Sequence, residues 1–187
     1  RFYPDSTVYD PFCGSGTILI ESALLARNMA PGLTRHFSAE RWGCFDSGVW
    51  QRERARALDL AQKEIPFEAR GADIDPSAVA LANANAAKAG VSGCVQAVQG
   101  DICAFERQTP RGVVITNPPY GERLLDIRQA ERLYGVMGEV FEPARGWRYC
   151  VISPHEEFER LFGRRADKRR KLYNGMIRCQ LYLYYKS

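Results

Sequence analysis

Short apolar runs alternate with helical patterns along almost the whole chain, and this alternation constrains the fold more than any other feature. Strand-length runs separated by helix-length segments build a parallel α/β sheet. Residues 7–10, 67–73, 95–99, 112–116 and 147–153 read as strands. Residues 17–28, 47–64, 76–89, 128–141 and 155–162 read as helices, the 47–64 segment charged and amphipathic. Pro31-Gly32 stops the first helix, and Pro76 and Gly90 bracket an Ala-rich one. Residues 31–46 form an irregular excursion bearing Phe37, Trp42 and Phe45. Near the end, 171–173 and 176–185 read as two strands joined by Asn174-Gly175, a dipeptide whose members both tolerate φ > 0. The expectation is one doubly wound domain over residues 1–187, a mostly parallel sheet closed by an antiparallel C-terminal hairpin.

A chain of 187 residues suits a single domain of ordinary size. An apolar share of 45% is too high for a disordered chain. No run approaches the roughly 18 apolar residues of a membrane span, so no membrane partner is expected. The chain does not begin with Met and enters pattern at once, so a fragment of a longer polypeptide is expected. The net charge of +4 is unevenly placed: residues 164–187 hold eight Lys and Arg against Asp167 alone, leaving the first 163 residues acidic. That asymmetry points to a polyanion near one end, although a solvated charged loop explains it equally well. Six cysteines stand apart with no CxxC pair, and His36 and His155 are isolated, so no metal site is expected. Cys150 and Cys179 sit in apolar runs as small buried hydrophobes, a usage suited to a reducing cytoplasm.

Ligands of open α/β sheets bind outside the carboxyl ends of the strands, so those positions carry the functional reading. The first strand runs into Asp10-Pro11-Phe12-Cys13-Gly14-Ser15-Gly16-Thr17, a Gly-rich turn before a helix. No Lys follows Gly16, which excludes a phosphate-binding P-loop. Leu19 stands where a dinucleotide fingerprint needs Gly or Ala. A loop for S-adenosylmethionine fits: the acid ahead of the glycines, Asp10, can meet the ammonium of a sulfonium amino acid. A plain tight turn remains the alternative. After the next strand, Asp73-Ile74-Asp75 offers a carboxylate for ribose hydroxyls at Asp73 and a helix cap at Asp75. After 95–99, Asp101 can accept from an adenine amino group, and its neighbour Ile102 can cover the ring.

The fourth strand end, Thr116-Asn117-Pro118-Pro119-Tyr120-Gly121, is the most specific. Two prolines hold the backbone extended. They aim the Asn117 side-chain oxygen and the Pro118 carbonyl as two acceptors for one planar NH2 group. A nucleobase amine is a poor nucleophile because its lone pair is delocalised into the ring. Two acceptors can draw it toward pyramidal geometry, and Tyr120 offers a stacking face.

These four elements resemble the S-adenosylmethionine-dependent amino-group methyltransferases. Residues 10–33 (DPFCGSGTILIESALLARNMAPGL), 117–124 (NPPYGERL) and 171–179 (KLYNGMIRC) are similar to the bacterial 23S rRNA guanine-N2 methyltransferase family, RlmL-like. The resemblance implies a Rossmann-like class I methyltransferase fold with a seven-stranded sheet. It implies a preceding RNA-binding THUMP region in the longer protein, S-adenosyl-L-methionine as cofactor and S-adenosyl-L-homocysteine as product. It places the cofactor on Asp10, Phe12, Gly14, Gly16, Thr17, Asp73, Ile74, Asp101, Ile102 and Asn117. It gives the chemistry to Asn117, Pro118 and Tyr120, and target contacts to Pro119, Tyr120 and Arg123.

The expected activity is methyl transfer to guanine N2 of ribosomal RNA. Positioning and polar preorganisation suffice, because the sulfonium is already activated. Lys and Arg at 164–171 could grip phosphates, although by chain order they enter the penultimate strand from the end away from the catalytic loop. Adenine-N6 methylation of DNA and methylation of a protein glutamine amide would use the same loop. A non-catalytic RNA-binding module is the remaining alternative, and the complete Asn-Pro-Pro-Tyr set argues against it.

Overall fold

A computed structural model describes residues 6–46, 48–120 and 127–186. In chain order the strands are β1 (Ser6–Asp10), β2 (Glu68–Asp73), β3 (Val95–Gln99), β4 (Arg111–Thr116), β5 (Trp147–Ser153), β6 (Lys168–Asn174) and β7 (Ile177–Tyr184). The helices are α1 (Thr17–Ala26), α2 (Val49–Leu60), α3 (Pro76–Lys88), α4 (Ile127–Val140) and α5 (Phe158–Leu161). All seven strands join one sheet in the order β3-β2-β1-β4-β5-β7-β6. The pairs among β1 to β5 are parallel, whereas β7 is antiparallel to both β5 and β6. This is the Rossmann-like class I methyltransferase arrangement. The order reverses between β1 and β4, and there the carboxyl ends open the crevice in which such sheets bind ligands.

Alternate side chains divide the core. Val8 of β1 packs with Ala69, Val95 and Ala97 under α1 and α3, through Leu19, Ala23, Ala82 and Ala86. Tyr9 points the other way, into an aromatic core with Tyr149, Val151, Tyr182 and Tyr184 under Tyr134, Phe141, Phe158 and Phe162. The Ala-rich side lets its two helices lie close to the sheet, and the aromatic side supplies most of the buried bulk. Each fully buried Leu, Phe or Met stabilises by roughly 1.5–3 kcal/mol. Helix α4 approaches the end of α5 so closely that a Cβ on Gly138 would collide with the Phe162 carbonyl.

Element ends differ from the sequence expectation where side chains capture the backbone. The first helix stops at Ala26 because Asn28 takes φ 49° and Met29 N–H turns back to the Leu24 carbonyl. Helix α2 ends at Leu60, whose carbonyl accepts from Asn28 Nδ2, while Gln62 N–H goes to the Arg27 carbonyl. The excursion packs on α2 through Phe37 against Trp50 and through the Arg54–Glu40 pair. Helix α5 is shorter than expected, since Ser153 Oγ and His155 Nδ1 take the N–H groups of His155 and Glu157.

The C-terminal hairpin holds two corrections. Strand β6 begins at Lys168, three residues before the expected start, so residues 168–171 are an edge strand and not a charged loop. Charges on an edge discourage pairing with another chain. Asn174 pairs with Ile177, which leaves Gly175 and Met176 as the turn residues. Gly175 has φ 61°, and Met176 is not in the left-handed region. Only the first central residue needs φ > 0, as in a Gly-X turn of the II′ kind. Asn174 is therefore the last strand residue, and its side chain is free of turn duty.

Candidate active site

Asp10 ends β1 at the point where the strand order reverses, and it is 2% exposed. Its Oδ1 accepts from the Thr116 hydroxyl at 2.6 Å and from Phe12 N–H at 3.2 Å. Thr116 is the buried last residue of β4, so one hydrogen bond ties the acid ahead of the glycine loop to the residue preceding Asn117. Burial pushes the Asp10 carboxyl up to about 6, against the lowering effect of these two donors; nearby Asp73 adds a further upward push. The same burial, with Asp10 and Asp73 close by, pushes the Cys13 thiol up to about 12 and leaves it an inert small hydrophobe.

The glycine loop is clamped from both sides. Cys13 N–H donates to the Ala72 carbonyl and Gly14 N–H to Asp73 Oδ2 at 3.0 Å. Asp73 Oδ1 accepts from Asp75 N–H, and Asp75 in turn caps α3 through Ser77 N–H at 2.8 Å. Asp75 thus has the expected capping role. Asp73 anchors the loop while its remaining lone pairs stay available to hydroxyl donors. Gly16 adopts φ 80° and sits against Ala82, where a Cβ would come within 3.0 Å of the Ala82 Cβ. Gly14 has φ 51° with open space over it, room for a ligand to approach the backbone. Thr17 opens α1 and is exposed, its hydroxyl bonded to Ser15, and Phe12 packs partly into the aromatic core.

The two aliphatic neighbours behave oppositely. Ile74 is 70% exposed at the carboxyl edge and free to cover a ring, whereas Ile102 is 5% exposed within the aromatic core. Asp101 is exposed and caps the 3-10 turn Ile102–Ala104 through Cys103 N–H at 2.8 Å. That bond holds its carboxyl below the usual range and keeps it charged. A cavity of about 340 Å³ runs along this edge from Asp10 and Pro11 past Gly71 and Ala72 to Gly100, Asp101 and Phe105. Arg70, Gln96 and Gln108 also line it, so it extends from the ends of β1, β2 and β3 along the Tyr9 face of the sheet.

The fourth loop stands across the β1–β4 crevice. Pro118 is buried, and Asn117, Pro119 and Tyr120 are half-buried. The Tyr120 hydroxyl donates to Asn117 Oδ1 and accepts from Asn174 Nδ2 at 3.3 Å. Burial pushes the Tyr120 phenol up to about 12. Arg123 lies outside the described residues. The structure therefore gathers Asp10, Gly14, Gly16, Asp73, Asp101 and Asn117 to Tyr120 at one edge of the sheet and leaves Ile102 in the core. Sequence reasoning missed Thr116 and Asn174. Thr116 had a signal, a hydroxyl residue ending a strand beside a loop rich in chemistry. Asn174 was hidden by its apparent turn role.

The family model that matches residues 1–182 is that of the RMKL-like methyltransferase domain. The chain belongs to this family. It is 40% identical over 184 residues to YpsC of Bacillus subtilis, provisionally named an RNA methyltransferase, covering 98% of this chain and 48% of that protein. It is 39% identical over 177 residues to ribosomal RNA large subunit methyltransferase K/L of Legionella pneumophila, covering 94% of this chain and 25% of that protein. It thus spans about half or a quarter of the length of these relatives. Among solved structures it is similar to SMU.472, provisionally described as a methyltransferase and complexed with SAH, with a TM-score of 0.92 and 40% identity. That match covers all of this chain and 50% of the other. A Listeria monocytogenes protein described as a predicted N6-adenine-specific DNA methylase matches with TM-score 0.90 and 40% identity, over all of this chain and 48% of that one.

Proposed function

We propose that this domain transfers the methyl group of S-adenosylmethionine to an exocyclic amino group of an RNA nucleobase, with guanine N2 of large-subunit ribosomal RNA as the target. One observation carries the reading: the Asp10–Thr116 bond sets the cofactor acid one residue from Asn117 across the β1–β4 crevice. Carboxylates that follow β1, β2 and β3, of which Asp10 and Asp101 line the cavity and Asp73 holds the loop beside it, fit a cationic sulfonium nucleoside, as does the open space over Gly14. Asp10 faces its ammonium, Asp73 its ribose hydroxyls and Asp101 its adenine amine, and Ile74 covers the ring. When bound, the cofactor supplies an electrophilic methyl group on a sulfonium, with the thioether as leaving group. Asn117 Oδ1 and the Pro118 carbonyl accept from the target NH2 and orient its lone pair. The Tyr120 ring and Pro119 flank the base, and Arg123, three residues on in the sequence, is a proposed target contact. The attacking nitrogen becomes strongly acidic once it carries the methyl group, so its proton leaves without a buried base. The ribosomal name of the Legionella relative supports RNA as partner. The Asn-Pro-Pro-Tyr loop is equally suited to adenine N6, which the Listeria relative's description makes the second reading.

Labelled-methyl transfer to protein-free ribosomal RNA, to DNA and to a glutamine-bearing protein, followed by nucleoside and peptide analysis, separates these readings. The expected product is N2-methylguanine in RNA; label only in N6-methyladenine of DNA would replace the RNA reading.

Strand β6 also changes the place of the basic cluster. The register through β7 sets Lys168 to Lys171 level with Cys150 to Ser153, so the cluster lies beside the carboxyl half of β5 and not at its amino end. Arg164 serves the fold, donating to the Phe141 carbonyl and lying over the Phe162 and Tyr184 rings. Arg169 faces Glu159 at 3.5 Å. Arg170 and Lys171 are exposed. Reversing the charge of both should flatten the slope of log K against log salt for RNA binding, by about 0.7–0.9 for each phosphate no longer neutralised. An unaltered slope would leave them the role of protecting the sheet edge.

A further inference from the structure

Asn174 does not serve the turn that its sequence context suggests. It closes β6 as the partner of Ile177, outside the left-handed region, and its side chain is exposed at the hairpin tip. From there Nδ2 reaches the Tyr120 hydroxyl at 3.3 Å, a contact between residues 54 apart in sequence. The Cys179 thiol of β7 faces the same hydroxyl, so both strands of the hairpin are seated on the catalytic loop. The Tyr120 hydroxyl in turn meets Asn117 Oδ1.

A phenol carries one proton. Placed between two amides, it donates to one and accepts from the other. We propose that Asn174 is a positioning residue for Asn117: by donating to the Tyr120 oxygen, it directs the Tyr120 proton to Asn117 and so presents the Asn117 amide oxygen, not its NH2, to the target amine. The inference rests on the role given above to Asn117. An asparagine amide rotated by half a turn would offer donors where the target amine itself brings donors, and transfer would stop. A carbonyl oxygen has two acceptor sites, so one takes the Tyr120 proton and the other remains for the substrate. Burial keeps Tyr120 protonated over the working pH range, which preserves the direction of the relay.

The polarity can be reversed by one atom type. In Asn174→Asp a carboxylate replaces the donor, attracts the Tyr120 proton and releases Asn117. In Asn174→Ala the Tyr120 oxygen loses one donor. Steady-state transfer to RNA should show about a 5-fold lower kcat for Asn174→Ala, the scale of one hydrogen bond, and roughly 10-fold or more for Asn174→Asp. KM for RNA and cofactor affinity should stay unchanged in both. In a Tyr120→Phe background neither change should lower kcat further, because the relay is already cut. Undiminished losses in that background, or no loss in the parent, would overturn the proposal. A second readout needs no activity. The Cζ resonance of Tyr120, assigned by its disappearance in Tyr120→Phe, should move in Asn174→Ala, and a fixed resonance would overturn the relay. If Asn117→Ala retained full transfer, the role of Asn117 would fail instead, and with it the purpose of the relay, whatever the resonance showed.

Discussion

Asn117→Ala should leave cofactor binding intact and lower methyl transfer by about 10²-fold or more. The magnitude follows from the cost of removing one preorganised dipole from a site where charge develops. The separation of the two effects follows from position. Asn117 lies after β4, whereas the carboxylates proposed for the cofactor lie at the ends of β1, β2 and β3. Asp10 keeps its Thr116 bond in the variant, because that bond uses the side chain before Asn117. A calorimetric titration with S-adenosylhomocysteine should therefore match the parent, while label transfer under saturating cofactor should nearly vanish. Unchanged turnover would remove Asn117 from the chemistry. Loss of cofactor binding would instead make it part of the cofactor pocket.

The placement of these residues at one edge of the sheet was legible from strand ends alone. The acids and the Asn-Pro-Pro-Tyr loop each follow an apolar run closely, and in a doubly wound sheet such residues reach the same edge. Local patterns also placed β3 and β5 without a shift of bounds. What stayed hidden depended on strand pairing and on a turn. Lys168, Arg169 and Arg170 carry no strand signal, and they join β6 only because β7 offers them a ladder. Asn174-Gly175 has the dipeptide of a two-residue turn, but pairing of Asn174 with Ile177 moves the turn on by one residue. Ile102 lies beside an exposed acid, yet the 3-10 turn directs it into the core. The first two cases were decided by pairing with β7 and the third by a turn, neither of which an apolar run announces.

Asp10 should make cofactor binding depend on protons and should destabilise the free domain at neutral pH. Its carboxyl is raised from 3.8 to about 6, mainly because burial disfavours the charge. With the folded value above the unfolded one, the group's contribution to stability is full below about pH 4 and is lost as pH rises through about 6. Two units correspond to about 3 kcal/mol at 1.36 kcal/mol per unit, an order-of-magnitude figure. In the proposed site the cofactor ammonium would reverse the balance, because an adjacent cation favours the carboxylate. Affinity should therefore weaken by about tenfold per pH unit below 6, where binding must first expel a proton, and level off above it. Asp10→Asn keeps an acceptor for Thr116 but has no charge to bury. It should raise the stability of the free domain at pH 7, abolish the pH dependence of cofactor affinity, and weaken that affinity at pH 7. Thermal melts without cofactor at pH 5 and 7, read beside titrations at the same two values, test both halves. A variant no more stable than the parent at pH 7, or one whose cofactor affinity still fell with acid, would mean that Asp10 is not the buried charge the cofactor neutralises. On the proposed reading the two effects share one cause: a largely buried carboxylate destabilises the free fold and gains a cationic partner when the cofactor's ammonium enters the cavity beside it.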